Sequence, residues 1–139
     1  MTRADDWATF AGRCLIAALF LAGAAQKALD PEPARTLLIG WALPGWAMWP
    51  AAAFNLVAGS ALIVGIAVRP VAATLAAYCA ATSLFHLVPD DPWQMSIFVK
   101  NWAIAGGCLV LAAHGAGSIR VRTGLHTAGW RGRLRTGQR

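Results

Sequence analysis

The stretch SIFVKNWAIAGGCLVLAAH, residues 96–114, is long and apolar enough to form a membrane-spanning helix. An α-helix rises 1.5 Å per residue, so about 20 apolar residues cross the hydrocarbon layer. The stretch nevertheless carries Lys100 and Asn101 near its start and His114 at its end. The rest of the chain decides whether this helix lies in a protein core or in a membrane.

The composition of the whole chain favours a membrane. Its 139 residues are 58% hydrophobic and only 13% charged, whereas soluble domains carry about 25% charged residues. The net charge is +6, and residues 120–139 hold six arginines and no acid. We therefore predict one integral membrane domain, residues 1–119, followed by a basic tail, residues 120–139.

Four apolar segments are expected to span the membrane, at about residues 7–29, 46–68, 70–88 and 95–116. Proline-containing stretches at 30–33, 69–70 and 89–92 separate them. The fold is therefore predicted to be all-α, an integral membrane four-helix bundle. A cleaved signal peptide is the rival interpretation of the first segment, but Asp5 and Asp6 oppose it because such peptides begin with a basic region.

Basic residues predict the orientation, because cytoplasmic loops carry an excess of Lys and Arg. The arginine-rich tail and Arg69 place both termini in the cytoplasm and the other two loops outside. Tryptophans concentrate on that outer side, as in the aromatic belt of a membrane protein: Trp41, Trp46, Trp49, Trp93 and Trp102.

Polar residues inside spans are costly and usually face protein or water. Helical spacing predicts four stripes that line the interior of the bundle: Arg13, Phe20 and Lys27; Asn55 and Gly59; Tyr78, Thr82 and His86; Ser96, Lys100, Ala103, Gly107 and His114.

The predicted depths bring several polar groups together at the outer side of the bundle. We expect an ion-pair network there between two lysines and three acids: Lys27, Lys100, Asp30, Asp90 and Asp91. Each polar residue also has a simpler interpretation. The lysines can snorkel to headgroups, His86 can be a hydrogen-bonded packing residue, and Asn55 can join two helices.

Metal and haem chemistry are not predicted from the residues. His86 and His114 fall in opposite leaflets, and no cluster of His, Cys or carboxylate ligands has a metal-site spacing. The three cysteines, Cys14, Cys79 and Cys108, are isolated in apolar segments and are expected to be small buried residues. A redox role would require the fold to bring two of them together.

The tail interleaves arginines with apolar residues. We expect it to lie on anionic lipid headgroups, at about 1 kcal/mol per basic residue, or to dock on a cytoplasmic partner. Nucleic-acid binding is not expected. The residues expected to bind lipid or a partner are Arg120, Arg122, Arg131, Arg133 and Arg135.

An ordered set of short motifs resembles the DoxX family over residues 11–119. The set consists of GRCLIAALFLAGAAQKALDP (12–31), LP (43–44), NLVAGSALIVGIAVRPVA (55–72), FH (85–86) and FVKNWAIAGGCLVLAAHGAGSI (98–119). One position departs from the family: Asn55 stands where the family often has a glutamate, which argues against a proton-coupled role. Residues 120–139 extend past the usual end of the family.

The resemblance implies a four-helix protein of the bacterial inner (plasma) membrane. Some relatives are subunits of thiosulfate:quinone oxidoreductase, and others accompany redox enzymes. We expect a small accessory subunit of a membrane redox or respiratory-type complex, not catalytic alone, in contact with lipid and other membrane subunits. The alternatives are a purely structural scaffold or assembly subunit and a thiosulfate–quinone oxidoreductase-like subunit.

A quinone pocket is the ligand site that we expect, with no covalently bound cofactor and no metal. It needs an apolar slot, aromatic walls and hydrogen-bond donors. The candidates for the quinone or polar cluster are Lys27, Trp49, Asn55, Tyr78, His86, Lys100, Asn101 and Trp102.

Overall fold

The computed structural model describes residues 3–120. Within that range the chain forms five α-helices, of which the first, third, fourth and fifth are long. They are α1 Arg3–Leu29, α2 Glu32–Gly40, α3 Met48–Val64, α4 Val68–Ser83 and α5 Pro92–His114. Short 3-10 turns, Gly45–Ala47 and Leu84–His86, extend α3 and α4.

The four long elements are each long and apolar enough to cross a membrane: Arg3–Leu29, Gly45–Val64, Val68–His86 and Pro92–His114. The predicted all-α membrane bundle is therefore confirmed for the described residues. The protein is a multi-pass membrane protein and contacts the lipid bilayer.

The boundary between the second and third predicted spans differs from the sequence prediction because of local backbone geometry. The third helix ends at Val64 instead of residue 68, because Gly65 adopts a left-handed conformation with φ of 82°. Arg69 and Pro70 consequently belong to the first turn of α4, where proline loses no needed donor. The unpredicted α2 begins directly after Pro31 and buries none of its residues.

The helices associate mainly as two pairs, α1 with α3 and α4 with α5. Gly59 allows α3 to approach α1, since a Cβ atom there would lie 3.2 Å from the carbonyl oxygen of Ala17. Gly107 does the same between α5 and α1, where a Cβ atom would lie 3.3 Å from Cδ1 of Ile16. Small residues of this kind let the backbones of neighbouring helices approach closely.

The two ends of the bundle differ in charge. We call one the arginine end; it contains the start of α1, the α3–α4 link and the segment after α5, with Arg13, Arg69 and Arg120. We call the other the acidic end; it contains α2 and the α4–α5 link, with Asp30, Glu32, Asp90 and Asp91.

The predicted interior stripe is confirmed on α1 and α3 but is wrong on α5. Arg13 and Phe20 are buried on α1, and Asn55 and Gly59 are buried on α3. On α5, however, the buried residues are Ala105, Cys108 and Leu111. Four residues of the predicted stripe face outward instead: Ser96, Lys100, Ala103 and His114. The spacing of these residues on α5 correctly predicted that they share one face. The prediction that this face lines the interior of the bundle is wrong, because the face points outward.

Candidate functional site

The clearest polar site inside the bundle contains Lys27, Asn55 and Tyr78, from α1, α3 and α4, which we call the interior polar group. Lys27 donates a hydrogen bond from Nζ to the carbonyl oxygen of Gly23 over 3.2 Å. A Cβ atom at Gly23 would lie 3.7 Å from Lys27 Nζ and 3.7 Å from Asn55 Nδ2. The ammonium and amide groups therefore share one small region of the α1–α3 interface.

Asn55 carries an unsatisfied polar atom in this region. Its side chain is 3% exposed, and its Oδ1 atom has no hydrogen-bond partner among the described residues. A buried acceptor without a donor costs roughly 1–3 kcal/mol. Such an atom is usually explained by a water molecule, a ligand or a functional role.

Aromatic rings border the interior polar group. Tyr78 lies beside Phe54, with ring centroids 5.3 Å apart, and beside Phe20 at 6.4 Å. The site thus combines an ammonium donor, an amide with a free acceptor, a phenol and flat apolar walls.

The other residues predicted for a quinone cluster lie elsewhere. Lys100, Trp49 and Trp102 are exposed on the outside of the helices, and Asn101 is half-buried on α5. His86 lies at the acidic end, where its Nδ1 atom hydrogen-bonds Oε1 of Gln94 over 2.7 Å. The fold therefore gathers only three of the eight candidates into one interior site.

The predicted lysine–aspartate network does not form within residues 3–120. There the ion pair is Arg35–Glu32, at 2.9 Å on the surface of α2. Asp91 instead caps α5, since its Oδ1 atom accepts hydrogen bonds from the backbone N–H groups of Trp93 and Gln94. Capping satisfies backbone N–H donors that the first helical turn cannot pair internally. The position of Asp91 directly before Pro92 could have indicated that this acid caps the helix.

An open groove of about 690 Å³ lies at the acidic end, between α2, the end of α4 and the start of α5. Trp41 and Phe85 form one side, with their rings edge to face at 5.5 Å. Asp30, Glu32 and Asp91 contribute carboxylates to its lining. The groove is wide and shallow, and it offers a mixed acidic and aromatic surface.

Arg13 forms the most extensively bonded polar site of the arginine end. Its side chain is completely buried. The guanidinium donates to the carbonyl oxygens of Ala116 at 2.6 Å, Ile119 at 2.9 Å and Ile63 at 3.4 Å. It also lies over the ring of Phe10, 5.4 Å from the centroid. Sequence reasoning placed Arg13 on the interior face but did not foresee that it ties α1 to the segment after α5.

The segment after α5 has two further attachments at the arginine end. Asp6 accepts a hydrogen bond from the backbone N–H of Ser118 over 3.0 Å. Arg69 packs over Gly115, where a Cβ atom would lie 3.2 Å from its Nε atom. Both Gly65 and Gly115, at the ends of α3 and α5, have positive φ angles, of 82° and 83°. Arginines beside carbonyl-rich helix ends are favourable because they complement the negative end of the helix dipole.

The cysteines are free in the structure. Cys79 and Cys108 are buried, and Cys14 is partly buried. Cys79 on α4 and Cys108 on α5 both belong to the apolar core between these helices. Among residues 3–120, no group of three His, Cys, Asp or Glu side chains is arranged to hold a metal ion.

The basic tail lies mostly outside the described residues. Arg120 is exposed at the arginine end. The other arginines expected to bind lipid or a partner, Arg122, Arg131, Arg133 and Arg135, fall outside residues 3–120.

Comparison with known proteins gives one result that bears on identity. No curated protein and no solved structure matches the chain. The family model DoxX matches residues 8–87, which is more than half of the 139 residues and runs from the first turns of α1 to the end of the Leu84–His86 turn. The resemblance predicted beyond residue 87 stays a prediction, but on the matched part the chain belongs to the DoxX family.

Proposed function

We propose that the protein is a small accessory subunit of a membrane redox assembly of the respiratory type, in the plasma membrane of a bacterium. Its family is linked to roles beside membrane oxidoreductases. Its apolar helices suit it to work within the bilayer next to a larger partner. In this role the subunit binds the larger partner and helps to shape the quinone pocket, and the partner carries the electron-transfer centres.

The observation that carries this proposal is the unsatisfied Asn55 Oδ1 atom inside the interior polar group. A quinone supplies ring oxygens that accept hydrogen bonds when oxidised and donate them when reduced. Lys27 has donors beyond the one that it gives to Gly23, and Asn55 has a free acceptor. The rings of Phe54 and Tyr78 offer the flat apolar walls that a quinone ring needs. The residues present therefore fit such a ligand.

A photoreactive azido-quinone tests this site on the purified protein in lipid nanodiscs. We expect labelled peptides from α1, α3 and α4 around the interior polar group. Asn55→Leu should lower labelling at least fivefold, because the buried acceptor is lost. Ser60→Leu is the matched control, since Ser60 is an exposed polar residue on the same helix, and it should label like the wild type. Equal labelling of both variants would refute a quinone site here.

The assembly itself is tested separately, by extraction in mild detergent and mass spectrometry of what co-purifies. We expect an oxidoreductase or cytochrome subunit in stoichiometric amount. A lone chain without bound quinone would contradict the proposal. We also expect no thiosulfate:quinone turnover by the purified chain alone, and measurable turnover would favour the thiosulfate–quinone oxidoreductase alternative.

A structural scaffold is the second candidate, and the close contact of Gly107 with Ile16 favours it. In this interpretation the polar residues hold helices together and bind no ligand. His86→Ala and Lys100→Met would then leave assembly and turnover intact, whereas Gly107→Leu would break the bundle and the assembly. Loss of quinone labelling in Asn55→Leu, with the assembly intact, would argue against the scaffold.

The basic tail is proposed to lie on anionic headgroups at the cytoplasmic face, because each basic residue near such a surface contributes about 1 kcal/mol. Flotation with vesicles tests this proposal. The full chain should bind vesicles with 30% anionic lipid in a salt-sensitive manner, and a chain that ends at residue 120 should lose the salt-sensitive part of this binding. Undiminished binding would contradict it.

A further inference from the structure

The polar atoms of the interior polar group differ in what they can bind. The ammonium group of Lys27 only donates hydrogen bonds, and the hydroxyl group of Tyr78 can donate or accept. The Oδ1 atom of Asn55 only accepts, and it has no partner among the described residues. Asn55 is 3% exposed, so bulk water does not reach this atom. The unsatisfied position therefore calls for a ligand that donates a hydrogen bond.

Gly23 leaves room for a ligand beside the two nitrogen atoms of the group. A Cβ atom there would lie 3.7 Å from Lys27 Nζ and 3.7 Å from Asn55 Nδ2, which is ordinary van der Waals contact. The position of that methyl group is therefore unoccupied. A bulkier residue at 23 would fill the space that separates α1 from the polar atoms.

The interior polar group also reaches the surface of the bundle. Around the buried Asn55, the residues Gly23, Lys27, Phe54 and Tyr78 are each half-buried. They belong to three helices that are long and apolar enough to cross a membrane. The surface that they form therefore borders the bilayer, and a ligand dissolved in the lipid can approach Asn55 from the side.

The two redox states of a quinone differ in what they offer to Asn55. The oxidised ring has two carbonyl oxygens, which only accept hydrogen bonds. Addition of two electrons and two protons converts both to hydroxyl groups, which donate and keep lone pairs that accept. Lys27 can therefore donate to a ring oxygen in either state. The Oδ1 atom of Asn55 gains a donor only from the reduced ring.

We propose that the interior polar group selects the quinol over the quinone, and that Asn55 makes the selection by accepting a hydrogen bond from a quinol hydroxyl group. The class of ligand rests on the proposed function, and the preferred redox state is the new element. With the oxidised ring the buried acceptor stays unpaired, whereas the reduced ring pairs it. Quinol consequently binds at least tenfold more tightly than quinone.

A preference for quinol changes the redox chemistry of the bound ligand. For a two-electron couple, a tenfold preference raises the reduction potential of the bound quinone by about 30 mV. The bound quinone is then a better electron acceptor than quinone free in the bilayer. It takes two electrons from the partner and two protons from water to become quinol. The site thus suits a partner that oxidises its own substrate and reduces quinone.

Binding of three matched ligands to the full chain in lipid nanodiscs tests the selection. They are a benzoquinone with a decyl chain, its quinol kept reduced by dithionite under nitrogen, and the dimethyl ether of that quinol, which has no O–H group. Titration calorimetry, with empty nanodiscs subtracted, gives the Kd of each. We expect the quinol to bind at least tenfold more tightly than either of the others. Equal Kd values, as expected if a bound water already satisfies Asn55, would overturn the proposal.

The role of Asn55 is tested by the ratio of the Kd of quinone to that of quinol, because a merely structural residue would change both alike. Asn55→Leu should bring this ratio close to one. Ser60→Leu, at an exposed polar residue on the same helix, should keep the ratio of the wild type. Thermal unfolding checks that both variants fold. A ratio that is unchanged in Asn55→Leu would overturn the assignment to this residue.

A redox titration of the wild-type protein gives a second measurement that does not depend on a variant. The absorbance of the bound decyl-quinone is followed against a set potential and compared with the same quinone in empty nanodiscs. We expect the midpoint potential to rise by about 30 mV or more. An unshifted or lowered midpoint would overturn the preference for quinol.

Gly23→Ala locates the ligand. The added methyl group fits without displacing Lys27 or Asn55 but occupies the free space, so it should weaken binding of both redox forms about equally. Unchanged affinity for both would place the ligand elsewhere and overturn the proposal. Specific binding of both forms with equal affinity would refute the selection and leave the proposed quinone site in place. Binding of neither form above empty nanodiscs would refute that site and the selection together.

Discussion

Replacing Arg13 by methionine should loosen the arginine end of the bundle and lower its stability by about 2–4 kcal/mol. Arg13 is fully buried and makes two short hydrogen bonds, 2.6 Å to the carbonyl oxygen of Ala116 and 2.9 Å to that of Ile119. Hydrogen bonds from a charged donor contribute about 1.5–3 kcal/mol each, so their loss costs about 3–6 kcal/mol. Removing a buried guanidinium also removes its desolvation penalty, which reduces the net loss.

Two measurements on purified protein in one detergent check this prediction. Equilibrium unfolding gives the free energy of Arg13→Met and of Arg13→Lys, which keeps the charge but lacks the planar fork that reaches several carbonyls. Hydrogen exchange gives the protection of the backbone N–H of Ser118, which follows the anchored segment. We expect Lys to lie between Arg and Met in both readouts. If Arg13→Met lies within about 0.5 kcal/mol of the wild type, with Ser118 protection unchanged, Arg13 does not hold the segment after α5.

Three further changes follow from local geometry. Gly65→Ala should destabilise the protein by about 1–3 kcal/mol, because φ is 82° and the new Cβ atom would lie 2.7 Å from that of Arg120; a normal melting temperature would contradict this. Asp91→Ala should cost about 1 kcal/mol through the lost cap of α5. Asp90→Ala should be neutral in the same unfolding assay, because within residues 3–120 it is Asp91, and not Asp90, whose side chain caps the helix. Asp6→Ala should raise the exchange rate of the Ser118 amide, and an unchanged rate would show that this hydrogen bond does not protect it.

The fold was largely predictable because its signals are local. Twenty-residue apolar runs, with prolines and acids between them, specify spans without reference to any other part of the chain. The helix ends were predicted less well, since Gly65 terminates α3 through a backbone conformation that competes with an apolar run continuing to Val68. The amphipathic helix α2 was missed, because its nine residues are too short for a span and bury no side chain.

The site could be predicted only in part, because it depends on helix rotation. Helical spacing on α1 and on α5 indicated a shared face in each case, but spacing does not say whether that face turns inward. Arg13 turns in, where its two terminal nitrogens donate to carbonyl oxygens near two helix ends, while its buried Nε atom has no partner among the described residues. Lys100 turns out, where the described chain offers it no partner. A polar stripe is thus equally compatible with an interior site and with an interface to another protein.

The bonds of Arg13 also constrain the order of events when the protein is made. Its main acceptors, Ala116 and Ile119, lie 103 and 106 positions later in the chain, so they emerge from the ribosome only after all four spans. Until then the first span holds an unsatisfied cation, which keeps that part of the helix near the headgroups. The arginine end can therefore be completed only after the fourth span has been made, and a chain that stops before residue 116 should leave Arg13 without its main acceptors.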